Sequence, residues 1–165
     1  MLVQSLSKQH QRTAFDCGNN ALNHYLQTTA RQHQNKGIAR TYVLINEATP
    51  EKILAYMTLT VCEVVSECLP VELMKKYPQR IPAAKLARLA VDISFQRQGL
   101  GEYLVVEALA KTLSVYETMG LVGLLVDAKH DDAKQYYLQF GFQAAPDQLA
   151  NLFMPIKAIQ QYLSG

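Results

Sequence analysis

The segment AKLARLAVDISFQRQGLGEYLVVEALAKTL, residues 84–113, constrains the fold more than any other part of the chain. Its first ten residues form a nearly continuous apolar run, the pattern of a strand buried on both faces. From Leu100 to Met119 the apolar residues Leu100, Leu104, Val105, Leu109 and Leu113 fall on one side of a helix, and Gly120 stands where a helix stops. Between strand and helix lie Gly99 and Gly101. A strand that passes through glycines into a helix exposes main-chain N–H groups at the positive end of the helix dipole, the geometry that holds a phosphate. A tight turn with no ligand is the other reading of the same residues.

The kind of phosphate ligand can be narrowed. A nucleotide-hydrolysing loop needs Gly-Lys-Ser/Thr after four spacers, and the chain has no such run. A dinucleotide fingerprint needs a third glycine where Leu104 stands.

The surrounding elements follow the same periodicities. Residues 19–36 carry Leu22, Tyr25, Leu26 and Ala30 as one helical stripe, with Asp16 or Asn19 as cap and Gly37 as stop. Residues 39–46 and 53–65 are rich in β-branched and aromatic side chains around the turn EATPEK, which predicts an antiparallel hairpin. PVELMKKYP predicts a short helix; residues 123–128 a buried strand; 131–140 a helix capped by Asp131; and 151–156 a late strand. The order is strand, helix, two strands, short helix, strand, helix, strand, helix, strand. At 165 residues, 49% hydrophobic and 18% charged, this predicts one globular α/β domain over 1–165.

Other classes are disfavoured. No apolar stretch approaches a membrane span, and the first residues lack the order of a signal peptide, so the expected address is cytoplasmic. Cys17, Cys62 and Cys68 have no metal-type spacing, the four histidines are scattered, and no metal is expected. Cys17 beside Gly18 reads as a structural turn, or as a thiol activated at a helix start. The net charge is only +2, yet residues 1–40 carry five Lys or Arg against Asp16, and residues 75–97 carry six against Asp92. Such clusters are solvated surface or a face for a polyanion.

ARLAVDISFQRQGLG resembles the acetyl-CoA-binding strand and pyrophosphate loop of the GNAT N-acetyltransferase superfamily. FDCGNNALNHYLQTTARQ, RLAVD, LLVDAKHDDAKQYYLQFGF and NLFMPI further resemble the acetyltransferase toxins of type II toxin-antitoxin systems, from about Phe15 to Ile156. Two places depart from the pattern. LAYMTLTV stands where the family often has a glycine and paired tyrosines, and Arg97 follows Gln96 where a glycine is common.

The resemblance implies a GNAT fold, mixed α/β, with a central six- to seven-stranded, mostly antiparallel sheet splayed at its middle and flanked by helices. It implies acetyl-CoA as co-substrate, held by the main chain of Leu89, Ala90 and Val91 along the pantetheine arm and by Gln96, Arg97, Gln98, Gly99, Leu100 and Gly101 at the pyrophosphate. Tyr137 matches the family tyrosine of Y-x-x-FGF and is implied as the general acid. A phenol is protonated at pH 7 and can donate to a departing thiolate. The implied acceptor is the α-amine of aminoacyl-tRNA, whose acetylation blocks translation. An α-amine suits an enzyme without an evident base, because its pKa of about 7.7–8.0 leaves a useful fraction neutral. Lys36, Arg40, Lys75, Lys76, Arg80, Lys85 and Arg88 are the candidate tRNA contacts. Toxins of this kind pair with a small antitoxin, often a ribbon-helix-helix DNA-binding protein, and often form homodimers. The alternatives are a GNAT enzyme acting on a small amine or protein N-terminus, and a non-catalytic acyl-CoA-binding module.

Overall fold

The computed structural model describes residues 1–146 and 150–165. Its elements in chain order are β1 (Leu2–Ser5), α1 (Asn20–His24), a π-helical turn (Tyr25–Thr29), α2 (Ala30–Asn35), β2 (Arg40–Ile45), β3 (Ala55–Val65), α3 (Val71–Met74) and β4 (Arg80–Val91). They continue with α4 (Leu100–Thr118), β5 (Gly123–Asp127), α5 (Asp131–Leu138), β6 (Gln143–Ala144), β7 (Asn151–Pro155) and α6 (Ile156–Ser164). Among the described residues the strands form a seven-stranded sheet in the order β1-β2-β3-β4-β5-β7-β6. It is a mixed α/β architecture whose sheet is mostly antiparallel. The β1–β2, β2–β3, β5–β7 and β6–β7 pairs are antiparallel, and β4 pairs with β5 in parallel from Ala84↔Leu124 to Leu86↔Val126. The apolar run expected to be a central strand is the fourth of the seven.

The chain divides into two compact units. The first comprises Met1–Thr60 and Ala87–Glu107. Its core gathers Leu6, Phe15, Tyr25, Leu26, Ala30, Val43, Ile45, Ile53, Tyr56 and Ala90, so three residues of the stripe expected on helix 19–36 are buried in it. Buried Thr41 and Thr58 satisfy each other through their hydroxyls at 2.8 Å. The second unit comprises Val61–Leu86 and Ala108–Gly165, with Val64, Leu69, Ile81, Ala83 and Phe153 clustered in its core. Gly123 there approaches β7 so closely that a Cβ would lie 2.3 Å from the Met154 carbonyl oxygen, a space only glycine fits.

Several boundaries differ from the sequence reading. The segment 19–36 is not one α-helix: Tyr25–Thr29 widen into a π turn, where the Thr28 hydroxyl donates to the His24 carbonyl at 2.8 Å. Asn19, not Asp16, is the cap, its side chain accepting from the Leu22 N–H. Asp131 does not cap α5 either; His130 holds the extended cap position without a side-chain bond, and Asp131 and Asp132 lie in the first turn, where their charge complements the dipole. Gly37 does end its helix at φ 73°. The apolar run 151–156 is a strand only to Pro155, and Ile156 opens α6, a helix absent from the expected order.

Candidate active site

The turn between β4 and α4 is held from below by side chains. Asp92, 8% exposed, ends the strand and accepts two main-chain N–H groups, that of Ser94 at 2.9 Å and that of Asp16 at 3.1 Å. The Ile93 N–H donates to the Asp16 carbonyl at 2.8 Å. The side-chain amide of Gln96 then donates to two carbonyls, Val91 at 2.9 Å and Cys17 at 3.1 Å. These bonds tie the turn to a segment almost 80 residues away in sequence, as the separation of 79 between Gln96 and Cys17 records. They also place the Gln96 amide on protein carbonyls rather than leaving it free.

Beyond Gln96 the chain takes two left-handed residues, Arg97 at φ 64° and Gly99 at φ 82°. For a non-glycine residue that conformation costs about 1–2 kcal/mol, so the departure at Arg97 adopts the backbone that a glycine would favour. A Cβ on Gly99 would meet nothing within 4 Å. Gly99 is therefore needed for its dihedral and not for room. Residues 96–99 are exposed, whereas Leu100 turns inward at 5% exposure and anchors the start of α4. The first N–H groups of a helix have no intrahelical partner. The first helical bond runs from the Tyr103 N–H to the Gly99 carbonyl at 3.1 Å.

The motif FDCGNN supplies the clamp. The Asp16 carboxylate accepts from the Gly18 N–H at 2.8 Å and from the Asn23 amide at 2.9 Å. The Gly18 N–H, then the Asn23 amide, hold this carboxyl below the usual carboxylate range. The Asn23 side-chain oxygen accepts from the Cys17 N–H at 2.9 Å. Burial pushes the Cys17 thiol up, the opposite of what an activated nucleophile needs, and the motif is a turn that grips residues 92–96. Phe15 beside it packs edge-on against Tyr56 at 5.5 Å. The Tyr56 hydroxyl donates to the Leu22 carbonyl at 2.7 Å, just ahead of the π turn. None of Asp16, Asn23 and Asp92 was expected at the site, and only the compact polar spelling of FDCGNN hinted at it.

Leu89, Ala90 and Val91 lie on β4 past the residues that pair with β5, with Ala90 buried and its neighbours half-buried. Val91 already accepts one bond from Gln96.

In the second unit, Tyr137 sits on the inner side of α5 at 8% exposure. Tyr136 and Phe142 meet its ring edge-on at 5.4 and 5.7 Å. Phe140 closes the group through Tyr136 at 5.2 Å and Tyr162 at 6.2 Å. Gly141, at φ 103°, turns the chain between Phe140 and Phe142. Burial, and secondarily Tyr136, push the Tyr137 phenol well above its ordinary range. No other described residue hydrogen-bonds its hydroxyl. The arrangement keeps the phenol protonated, and among the described residues its O–H is unspent.

The seven candidate cations separate. Lys36 and Arg40 are exposed, as are Lys75 and Lys76 after α3. Arg80 is engaged with Glu63 at 2.8 Å. Lys85 is half-buried, and half-buried Arg88 lies flat over the Tyr25 ring at 3.5 Å. Lys36, Arg40 and Arg88 belong to the first unit and the other four to the second. Among the described residues no group of His, Cys, Asp or Glu could hold a metal, and no helix is long and apolar enough to cross a membrane.

Residues 41–144 match the model of the acetyltransferase (GNAT) domain. The chain is 28% identical over 145 residues to a tRNA-acetylating toxin of Mycobacterium tuberculosis (strain ATCC 25618 / H37Rv), covering 88% of this chain and 86% of the relative. Among solved structures it is similar to AtaT complexed with acetyl-methionyl-tRNAfMet, at TM-score 0.89 and 34% identity over 98% of each chain. It is also similar to an AtaT mutant bound to the C-terminus of the antitoxin AtaR and acetyl-CoA, at TM-score 0.81 and 30% identity over 99% of this chain and 98% of that one.

Proposed function

Because the chain belongs to the GNAT acetyltransferase family, we propose that it is a toxin that moves the acetyl group of acetyl-CoA to the α-amine of an aminoacyl-tRNA. Acetylation removes the nucleophile that translation needs, and a cognate antitoxin neutralises the enzyme. The observation that carries this reading is the likeness, over 98% of the chain, to AtaT complexed with acetyl-methionyl-tRNAfMet.

In this account residues 1–165 act as one acetyltransferase domain. Main-chain N–H groups of Gln98, Gly99, Leu100 and Gly101 take the pyrophosphate, supported by the left-handed turns at Arg97 and Gly99. Gln96 serves as a strut. The pantetheine arm runs along Leu89, Ala90 and Val91. The neutral α-amine attacks the thioester carbonyl carbon, the C–S bond breaks, and Tyr137 gives its proton to the departing CoA thiolate. A buried phenolate is costly, so the proton lost by the new ammonium returns to Tyr137 and leaves it neutral. Lys36, Arg40, Lys75, Lys76, Lys85 and Arg88 contact tRNA phosphates; Arg80 does so only by leaving Glu63. The antitoxin is of ribbon-helix-helix type, and the toxin works in the cytoplasm as a homodimer.

The test is transfer to purified charged tRNA. After nuclease digestion, mass spectrometry should find the aminoacyl-adenosine heavier by one acetyl group. Acetylation of free amines or protein N-termini but not of charged tRNA would replace this reading with the small-amine enzyme. Binding of acetyl-CoA with no transfer to any amine would leave the acyl-CoA-binding module.

A further inference from the structure

Arg88 differs from the other cations in how it is held. Its guanidinium carbon lies 3.5 Å from the centroid of the Tyr25 ring, a stacked cation–π contact. The ring is fixed: Tyr25 is 6% exposed, its hydroxyl meets His33 Nδ1 at 3.2 Å, and the His33 ring meets it edge-on at 5.6 Å. Arg88 makes no hydrogen bond or ion pair to another described residue. A guanidinium carries five N–H donors in a rigid fork matched to phosphate and carboxylate. A half-buried arginine ordinarily spends them on a carboxylate, as charges withdrawn from water are paired. Here the group lies over an aromatic platform, and its donors are not spent on any other described residue.

Its position narrows what that is. Arg88 precedes Leu89–Val91, the stretch proposed to carry the pantetheine arm, whereas the diphosphate turn follows it. About 10 Å of strand separates Arg88 from Val91 at ~3.3 Å per residue, with the turn beyond. The anion facing Arg88 therefore belongs to the acceptor and not to the cofactor. On the strand Arg88 shares its face with Ala90, whose side chain lies in the cluster with Tyr25 and Tyr56. An amino acid esterified to tRNA has no free carboxylate, so the nearest anion to its α-amine is the last phosphodiester of the single-stranded 3′ end.

We infer that Arg88, stacked on Tyr25, is the specificity contact that reads the terminal phosphodiester of the charged tRNA and so aims the α-amine at the thioester. This rests on the aminoacyl-tRNA reading above. The stacked plane matters as well as the charge. Lysine in its place keeps the cation and loses both the fork and the stacking.

The test compares wild type, Arg88→Gln and Arg88→Lys on two acceptors: the charged tRNA that the wild type acetylates and the amide of the same amino acid, which keeps the α-amine and has no phosphate. The expected result for Arg88→Gln is a fall of about 10- to 100-fold in the ratio of kcat/KM for charged tRNA to that for the amide, in line with ~1–3 kcal/mol for one charged contact. The dependence of log KM for charged tRNA on log salt should flatten by about 0.7, the share of one phosphate on a single strand. Arg88→Lys should fall between. An unchanged ratio, an unchanged salt slope, or equal losses on both acceptors would overturn the inference. So would a raised KM for acetyl-CoA, which would give Arg88 to the cofactor. If the wild type acetylates no charged tRNA, the proposed function fails first, and the inference falls with it. Charged-tRNA transfer that survives Arg88→Gln sinks the inference alone.

Discussion

Around Gln96–Gly101 the chain is held by hydrogen bonds, and around Tyr137 by ring edges. The turn rests on the Asp92 carboxylate, the Gln96 amide and the Asp16–Asn23 pair, all joined to main-chain groups. Those side chains satisfy the main-chain groups beneath it. Tyr137 has the reverse surroundings, an apolar nest in which no other described residue touches its hydroxyl through a hydrogen bond. A polar scaffold fixes the course of the main chain. An apolar one fixes the protonation state of an acid. The two regions are thus held by separate physical means, and substitutions should separate the roles proposed for them.

The largest effect is expected at the ring nest. Tyr137→Phe keeps the packing and deletes the proton, so kcat should fall about 10²- to 10⁴-fold, while KM for acetyl-CoA stays within about twofold. Equal losses in both would mean that Tyr137 belongs to the binding half after all.

Asp92→Ala should show the opposite pattern. It strands two main-chain N–H groups, a cost of about 1–3 kcal/mol for a buried group left unsatisfied, seen as a lowered Tm. KM for acetyl-CoA should rise roughly tenfold, equivalent to about 1.4 kcal/mol, with kcat much less affected. Gly99→Ala is a milder form. With nothing within 4 Å of the added Cβ, only the φ of 82° resists it. A cost of about 1 kcal/mol should appear as a several-fold rise in the same KM.

The smallest effect is in alkaline stability. A phenol whose pKa is raised in the folded state holds its proton where the unfolded chain has lost it, so folding is favoured fully below pH ~10 and progressively less above it. Burial raises Tyr137 and Tyr56 in the same direction. Tm should therefore decline above pH ~10, and less steeply in Tyr137→Phe. A Tm that stays flat to higher pH would mean that the nest does not exclude the phenolate.

The two regions also differ in how far the sequence betrays them. The strand, the glycine turn and the long helix of 84–118 are legible because an apolar run, Gly99 and a one-sided stripe each carry a local signal. So is the Phe140-Gly141-Phe142 turn. The clamp under the Gln96–Gly101 turn is not legible, because the bond between Asp16 and Asp92 joins residues 76 apart and each carboxylate reads locally as a cap. The π turn at 25–29 was hidden for a similar reason. The stripe Leu22, Tyr25, Leu26 and Ala30 fits an α-helix, and the widening goes with tertiary bonds such as Tyr56 to Leu22. Helix α6 does carry a signal, with Ile156 and Ile159 buried on one side, but its first apolar residue continues the run of β7 and reads as part of the strand. Asp131 misled by one position, since a first-turn acid and a cap look alike in sequence.

The claim that the turn is a diphosphate cradle is tested most directly by following the backbone amide resonances of Gln98–Glu102 while acetyl-CoA is added, with acetyl-pantetheine, which lacks the diphosphate, as the control. The account predicts large downfield shifts at Gly99, Leu100 and Gly101 with acetyl-CoA and none with acetyl-pantetheine. Shifts that leave these amides untouched while acetyl transfer proceeds would contradict it.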